Sequence, residues 1–524
     1  MKDLNLQMFK QYDIRTKYRN VDDELKIRLY NAVALYIRNH ANAKSVVICR
    51  DARLYVPEVA EGLSKYLRRA GVDVFINPLP ISTCQFYYTC MQHRDSAGIM
   101  VTASHNPAEY FGLKLVGPGV APIAFGCGPA DGIAKIKELY EAGSVVEGDA
   151  CGKLTVINYL ESYINYCMKL SGVKEGSLKG TRILLEFLNG SAGSEMALAF
   201  QRAGAEIEMR NVIPDGFFPQ GDPNPIIESS IAPARAAMKE GNFDFGFCFD
   251  GDGDRVDLMA PNGEQIVPGL NMSIIVKKMI DMFKGTKMDV YADVKAIPIS
   301  LCEIAKTGVK VHIIRNGHSF IKEKLREYCD KGYFTAEEES AHYYMNFPYD
   351  PDDLSKGFAA IEATLFIALL SARCYKEDPA AYERAYKLQN SLFREREWPL
   401  HCEAAPEKMP LLMDEVEAKM RSLGATVIKE MDDGSDLDAC LMRFNLPFEF
   451  DADSSLEGRK WVQVAQRISR SEDAMCRWDH PYDGPYVRSR HHPCGDDHPE
   501  DHPVDRQDAG REDLLEEHPV DGDR

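Results

Sequence analysis

Three aspartates at alternate positions, Asp250, Asp252 and Asp254, separated by Gly251 and Gly253 and followed by Arg255, make a hard, all-oxygen ligand set within one turn. Glycine between them lets the backbone curl tightly around an ion. A Ca²⁺ loop of the EF-hand type needs Gly at its sixth position and Glu at its twelfth, and this chain has Arg255 and Pro261 there. A solvated acidic turn is the other reading, but three like charges in one turn repel unless a cation offsets them. Mg²⁺ is the expected guest. A second stretch with chemistry in it is Thr102, Ala103, Ser104, His105, Asn106 and Pro107. A serine hydroxyl reacts only when a neighbour takes its proton or a metal polarises the group it meets, and His105 beside Ser104 does not by itself make a triad.

Both stretches follow apolar runs. Ile99, Met100 and Val101 favour a strand, whereas Ser, Asn and Pro in succession favour a turn. Ser104 is therefore expected on a loop at the carboxyl end of a strand, where open α/β sheets place their ligands. Phe245, Phe247 and Phe249 lead in the same way into Asp250. Around these runs helix and strand alternate. Residues 1–152 show a helix at 21–40, strands at 45–49, 72–76 and 98–102, and a helix at 57–70 with Pro57 in its first turn and Gly71 closing it. Residues 153–262 repeat the layout, with a strand at 181–187, a helix at 194–204, a Pro/Gly/Asn-rich loop at 214–225, a helix ending near 240 and the strand into Asp250. Residues 263–385 do so again, with strands at 288–294 and 309–314 and helices at 299–307 and 318–329. Such βαβ alternation predicts an α/β protein of three similar mixed-sheet domains, although no direct sequence repeat is visible.

The motifs resemble those of the α-D-phosphohexomutase family, the phosphomannomutases and phosphoglucomutases, in that family's order and over residues 8–465. Tyr12, Asp13, Ile14 and Arg15 resemble the opening YDIR signature. Residues 102–107 resemble the phosphoserine loop and residues 250–255 the Mg²⁺ loop. Glu337, Glu338, Glu339, Ser340, Ala341 and His342 resemble the sugar-binding loop of GEMSGH type, with Glu337 and Ala341 where that loop has glycine. The resemblance implies four domains around a central cleft, the last of them an α+β module. It also implies a serine that carries a phosphoryl group, Mg²⁺, and a hexose 1,6-bisphosphate that serves as activator and intermediate.

Carried over residue by residue, the resemblance gives Ser104 as phosphoryl carrier and, with Asp250, Asp252 and Asp254, as metal ligand. Arg255 adds a planar fork of donors, and His105 and Tyr12 belong to the same loops. Lys114, at the family's GxK position, is expected to exchange a proton with the sugar hydroxyl, its pKa depressed by Arg15 and the metal. Arg50, Asp51, Ala52 and Arg53 resemble an RDxR turn behind the serine and are read as scaffolding. Lys295 and His318 are expected to contact substrate. Glu338 and Ser340 offer acceptors and a donor to vicinal hydroxyls, with His342 joining them.

The C-terminal part departs from the family. Residues 375–410 read as a polar, helical linker, and residues 386–478 as the α+β phosphate-binding domain, with short strands at 425–429, 439–444 and 460–464. The expected phosphate grip, RxSxTE, is represented by Arg467, Ser469 and Ser471, displaced from the strand by Ala465 and Gln466. The strand and helix that follow in the family are not evident. Residues 479–524 hold fourteen acidic and five basic residues, no lysine and recurrent His-Pro pairs, and such a segment is expected to stay disordered because it cannot bury a core.

Composition narrows the classes. Of the 524 residues, 45% are hydrophobic and 27% charged, ordinary for a globular protein of several domains. No apolar run reaches the ~18 residues of a membrane span, the most apolar helix candidate, 358–374, containing Glu362 and Arg373. The first fifteen residues lack the apolar core of a signal peptide, so a cytoplasmic protein is expected. Fourteen scattered cysteines without a CxxC pair read as buried thiols, and a net charge of −19 argues against nucleic acid and acidic membranes as partners. The expected partner is a phosphosugar, and the expected state a monomer or weak homo-oligomer. The function that follows is a Mg²⁺-dependent mutase interconverting hexose 6-phosphate and hexose 1-phosphate, of mannose or glucose. The alternatives are a phosphoglucosamine mutase, a catalytically impaired sugar-phosphate-binding paralogue and, third, a phosphomonoester hydrolase.

Overall fold

The computed structural model describes residues 3–148, 151–283, 288–401, 409–469 and 475–483, which fall within one compact unit. Among them the strands form four sheets. The first region contains β1 (Ile14–Lys17), α1 (Asp23–Asn39), β2 (Ser45–Arg50), α2 (Val56–Arg69), β3 (Asp73–Pro80), α3 (Thr83–Gln92), β4 (Ala97–Val101), β5 (Tyr110–Gly117), β6 (Ala121–Ile123), α4 (Ile133–Glu141) and β7 (Leu154–Val156). The helix starts follow from local chemistry: the Asp22 carboxylate accepts the Leu25 N–H at 3.0 Å, and Ser82 Oγ accepts the Gln85 N–H at 3.0 Å. The second region contains α5 (Leu160–Ser171), β8 (Arg182–Glu186), α6 (Gly193–Ala203), β9 (Glu206–Arg210), α7 (Glu228–Gly241), β10 (Phe245–Phe249), β11 (Val256–Met259) and β12 (Gln265–Ile266). The third contains α8 (Pro268–Met282), β13 (Asp289–Asp293), α9 (Pro298–Ala305), β14 (Lys310–Ile314), α10 (His318–Arg326), β15 (Thr335–Glu337), β16 (Tyr343–Pro348), β17 (Phe358–Glu362), α11 (Thr364–Glu377) and α12 (Pro379–Asn390).

These three sheets share one strand order. β3-β2-β4-β5, β9-β8-β10-β11 and β14-β13-β15-β16 each pair three parallel strands and then turn back in an antiparallel hairpin. The turn of that hairpin is residues 102–109 in the first sheet, 250–255 in the second and 338–342 in the third. The serine, aspartate and sugar-loop motifs thus occupy one topological position three times, at the carboxyl end of a parallel strand. The parallel strands are buried on both faces, as Val46, Val47 and Ile48 on β2 show, and helices cover them.

The last region differs. β18 (Phe393–His401), α13 (Met409–Ser422), β19 (Thr426–Glu430), β20 (Asp436–Phe444), β21 (Trp461–Ser469) and β22 (Met475–Asp483) form an antiparallel sheet ordered β18-β22-β21-β20-β19. Three expectations are corrected here. Residues 358–374 are not one helix: Phe358–Glu362 pair with β16, and the helix begins at Thr364, because a run buried on every side has no period to distinguish strand from helix. Residues 375–410 are not a helical linker throughout, since β18 pairs with β22. The strand thought absent after the phosphate grip is β22, which takes up Asp479–Asp483 of the segment expected to be disordered. The remainder of that segment, 484–524, lies outside the described residues. Among the described residues no helix is long and apolar enough to cross a membrane.

Glu195, on α6, is buried with Ser82 Oγ donating to it at 2.6 Å. Burial pushes its carboxyl up to about 8, the serine hydrogen bond opposing. The folded state thus favours the protonated acid, so Glu195's contribution to stability is complete below its ordinary value near 4.5 and is lost as pH rises toward 8. Glu195→Gln is expected to change unfolding free energy little at pH 5 and to raise it by a few kcal/mol, roughly, at pH 9, at ~1.4 kcal/mol per tenfold change in the equilibrium. Denaturant titrations at the two pH values check this, and a gain equal at both would refute it.

Candidate active site

Ser104 lies three residues beyond β4 in the left-handed region, φ 52°, where a non-glycine residue needs outside support. Arg53 gives it. The guanidinium, fully buried, donates to the carbonyls of Ser104 at 2.6 Å, Asn106 at 2.6 Å and Pro107 at 2.5 Å, and to Asp51 Oδ2 at 3.1 Å. Asp51 Oδ2 also accepts the Thr102 hydroxyl at 2.7 Å, and Thr102 Oγ1 accepts the Ser104 N–H at 2.9 Å. The turn read as scaffolding therefore fixes the serine loop by hydrogen bonds on both sides of Ser104.

The aspartate loop meets it closely. Ser104 Oγ is 3.5 Å from Asp250 Oδ2, and a Cβ at Gly251 would lie 2.9 Å from the Ser104 carbonyl, so only glycine permits this approach. Hydrogen bonds hold all three carboxylates, those of Asp252 and Asp254 through one oxygen each. Asp250 Oδ1 accepts the N–H groups of Asp254 and Arg255, both at 3.1 Å; Asp252 Oδ2 accepts Thr83 Oγ1 at 2.6 Å and Lys114 Nζ at 2.7 Å; Asp254 Oδ2 accepts Lys114 Nζ. The second oxygens of Asp252 and Asp254 are buried without a hydrogen-bond partner. One ligand atom from each aspartate can gather with the others within 4.8 Å. Three buried carboxylates face two nearby cations, Lys114 and Arg255, which leaves a negative excess. A compact hard cation fits both the charge and the oxygen donors. Burial and then Asp254 and Asp252 hold the Asp250 carboxyl well above its ordinary range, as expected of crowded carboxylates.

Lys114, on β5, is buried against two of the aspartates. Burial does act to lower its pKa, but Asp252 and Asp254 overcome it and raise the ammonium above its ordinary value. Arg15 is engaged with Asp13 and, at 2.8 Å, with Asn106 Oδ1. Arg255 donates from Nη2 to His105 Nδ1 at 2.8 Å and from Nε to His342 Nε2 at 3.0 Å, and His342 Nδ1 lies 3.0 Å from Glu362 Oε1. Burial first, then Arg255, holds His105 well below the ordinary histidine range. Ser104 Oγ lies 3.2 Å from the same His105 nitrogen.

A cavity of about 360 Å³ opens above these loops. Tyr12, Arg15, Ser104, His105, Lys114, Asp254, Arg255, Lys295, His318, Glu338, Ser340, His342 and Arg467 all line it. Asp250 and Asp252 are fully buried beside Asp254 and do not line it, Ser469 lies on β21, and Ser471 lies outside the described residues. Glu338 accepts Asn316 Nδ2 at 2.5 Å and the Gly317 N–H at 3.2 Å on one oxygen and Tyr344 OH on the other. Ala341 adopts φ 67°, so alanine takes the conformation for which the family uses glycine. Ala465 and Gln466 belong to β21, which ends at Ser469, so they extend the strand and carry Arg467 to the cavity. A larger groove of about 880 Å³ among α8, α9, α11 and α12 is unconnected with this chemistry, and its Lys278, Lys306 and Arg384 are paired with Glu377, Glu303 and Asp378.

The sequence reading missed Thr83, Glu362 and Tyr344 as members of the site. The one local signal was Ser82, an N-cap that announces a helix starting at Thr83.

The chain is similar to known proteins. The family model for phosphoglucomutase/phosphomannomutase alpha/beta/alpha domain I matches residues 6–141, and that for alpha/beta/alpha domain II matches residues 158–263. A phosphomannomutase of Vibrio cholerae is 29% identical over 351 residues, 66% of this chain and 73% of that protein. A phosphoglucomutase of Neisseria meningitidis is 26% identical over 438 residues, 82% of this chain and 88% of that protein. The crystal structure of a phosphoglucomutase/phosphomannomutase family protein from Burkholderia thailandensis superposes with a TM-score of 0.71 at 23% identity, covering 91% of this chain and 93% of that one, and so has the same fold. The chain belongs to the α-D-phosphohexomutase family of intramolecular phosphotransferases.

Proposed function

We propose that this protein is a cytoplasmic, Mg²⁺-dependent phosphohexomutase that interconverts the 6-phosphate and 1-phosphate of mannose, glucose or both through phosphorylated Ser104 and a hexose 1,6-bisphosphate. The observation that carries the reading is the meeting of Ser104 Oγ with Asp250 Oδ2 at 3.5 Å beside a cleft whose walls hold Lys295, His318, Glu338, Ser340 and Arg467. Asp250, Asp252, Asp254 and Ser104 would hold the ion, which when bound neutralises charge on the phosphoryl oxygens.

In the forward half-reaction the bond from phosphorus to Ser104 Oγ breaks as a bond to the sugar hydroxyl oxygen forms. The sugar hydroxyl loses one proton and Ser104 Oγ gains one, so no net proton is exchanged. Lys114, held charged by Asp252 and Asp254, enters as a donor. The bisphosphate then turns in the cleft and its other phosphate returns to Ser104. Arg467, its Nε buried without a hydrogen-bond partner, supplies a charged grip for the phosphate that is not transferred. With domain boundaries near residues 152, 262 and 385, the serine, aspartate and sugar loops each come from a different α/β domain and Arg467 from the last.

Glucose 1-phosphate or mannose 1-phosphate incubated with protein, Mg²⁺ and a trace of hexose 1,6-bisphosphate should yield the 6-phosphate isomer. Free phosphate would indicate a hydrolase, and no change a binding protein. Ser340→Ala is expected to weaken mannose and glucose phosphates alike, by roughly tenfold for one lost hydrogen bond. Glu338→Ala should do so by roughly tenfold to a hundredfold, the acceptor being charged. Steady-state KM for both sugars checks this, and a changed preference between them would contradict a contact remote from C2.

A further inference from the structure

We propose that Thr83 is a positioning residue that selects which oxygen of Asp252 faces the cation. The inference rests on the reading that Asp250, Asp252 and Asp254 hold a divalent ion. Thr83 belongs to α3, which follows the first sheet's β3, whereas Asp252 lies in a loop of the second sheet. The two nevertheless make two hydrogen bonds: Thr83 Oγ1 donates to Asp252 Oδ2 at 2.6 Å, and the Thr83 N–H donates to the Asp252 carbonyl at 2.8 Å. Both residues are fully buried. The loop is also packed tightly against the start of α3. A Cβ at Gly253, φ +68°, would come within 3.0 Å of Ser82 Cβ and 2.9 Å of Ala192 Cβ. Thr364 Oγ1 holds the Gly253 carbonyl at 2.8 Å from the other side.

The consequence lies in the carboxylate's two oxygens. Asp252 Oδ2 carries both the Thr83 hydroxyl and, at 2.7 Å, Lys114 Nζ, while Oδ1 is buried with no hydrogen-bond partner. Two donors on one oxygen fix the plane of the carboxylate and leave the other oxygen free for an ion. Lys114 alone cannot do this, because its ammonium is shared with Asp254 and can follow either acid. Hydrogen bonds behind a ligand orient it and set metal affinity, and losing one costs roughly 10- to 100-fold.

The test is metal binding by the purified full chain, without substrate. Thr83→Val keeps the shape and the backbone bond but removes the hydroxyl, and Thr83→Ser restores the hydroxyl. Mg²⁺ is titrated by calorimetry and Mn²⁺ by electron paramagnetic resonance, with thermal unfolding of each metal-free variant alongside. The expected result is a Kd raised roughly 10- to 100-fold in Thr83→Val and close to wild type in Thr83→Ser, with similar metal-free unfolding temperatures. Should Thr83→Val fail to fold, Thr83→Ala gives the same reading with less bulk. A variant lacking the hydroxyl that binds both ions as tightly as the wild type would overturn the proposal. So would a Thr83→Ser that binds as weakly as Thr83→Val. A wild-type protein that binds neither ion would instead overturn the metal reading on which the proposal stands.

Discussion

Ser104→Ala is expected to lose mutase turnover by about 10⁴-fold or more, since it removes the oxygen that carries the phosphoryl group. His105 Nδ1, 3.2 Å from Ser104 Oγ, already accepts from Arg255, and burial and that arginine disfavour its charged form. The variant should keep its fold. The loop is held by Arg53 through the backbone carbonyls of residues 104, 106 and 107, none of which the substitution removes. Unfolding temperature and Mg²⁺ affinity should therefore change much less than turnover. Steady-state rates with either sugar phosphate check this, and full activity in Ser104→Ala would dispose of the phosphoserine mechanism.

Asp252→Asn should lower turnover by roughly 10²- to 10³-fold, as losing a preorganised electrostatic contact at the transferring group does. The substitution removes one negative charge from beside the cleft. It also places an amide on an atom pair in which one oxygen accepts from Thr83 and Lys114 and the other is free for an ion. An amide oxygen can still satisfy Thr83 and Lys114, but the amino group then faces the ion. The reverse orientation points donors at donors. Chelation should abolish wild-type turnover and Mg²⁺ restore it, with the restoring concentration much higher in the variant. If Asp252→Asn keeps the wild-type rate and metal dependence, the ion belongs elsewhere.

What could be read in the sequence was local. Ser104 and the three aspartates each lie in one contiguous loop after an apolar strand, so residue type and spacing along a few positions sufficed. The repeated α/β layout was legible because strand and helix alternate with their own periods and caps. What escaped depends on partners far apart in the chain. Thr83 meets Asp252 across 169 positions. Glu362 was hidden inside an apolar run whose burial on all sides erases periodicity, so its strand end beside His342 was read as helix. Lys114 likewise meets Asp252 and Asp254 from far along the chain, and local spacing does not announce such contacts. At the C-terminal end, the pairing of β22 with β21 and β18 supplied a strand that Asp, His and Pro composition argues against.

The most direct measurement is the phosphorylation state of Ser104. Purified protein incubated with hexose 1,6-bisphosphate and Mg²⁺, then quenched and mapped by peptide mass, should carry one phosphate on the peptide containing Ser104. A chase with excess hexose 6-phosphate should remove that phosphate to the sugar. Protein that isomerises hexose phosphates while Ser104 stays unmodified at every stage would contradict the account.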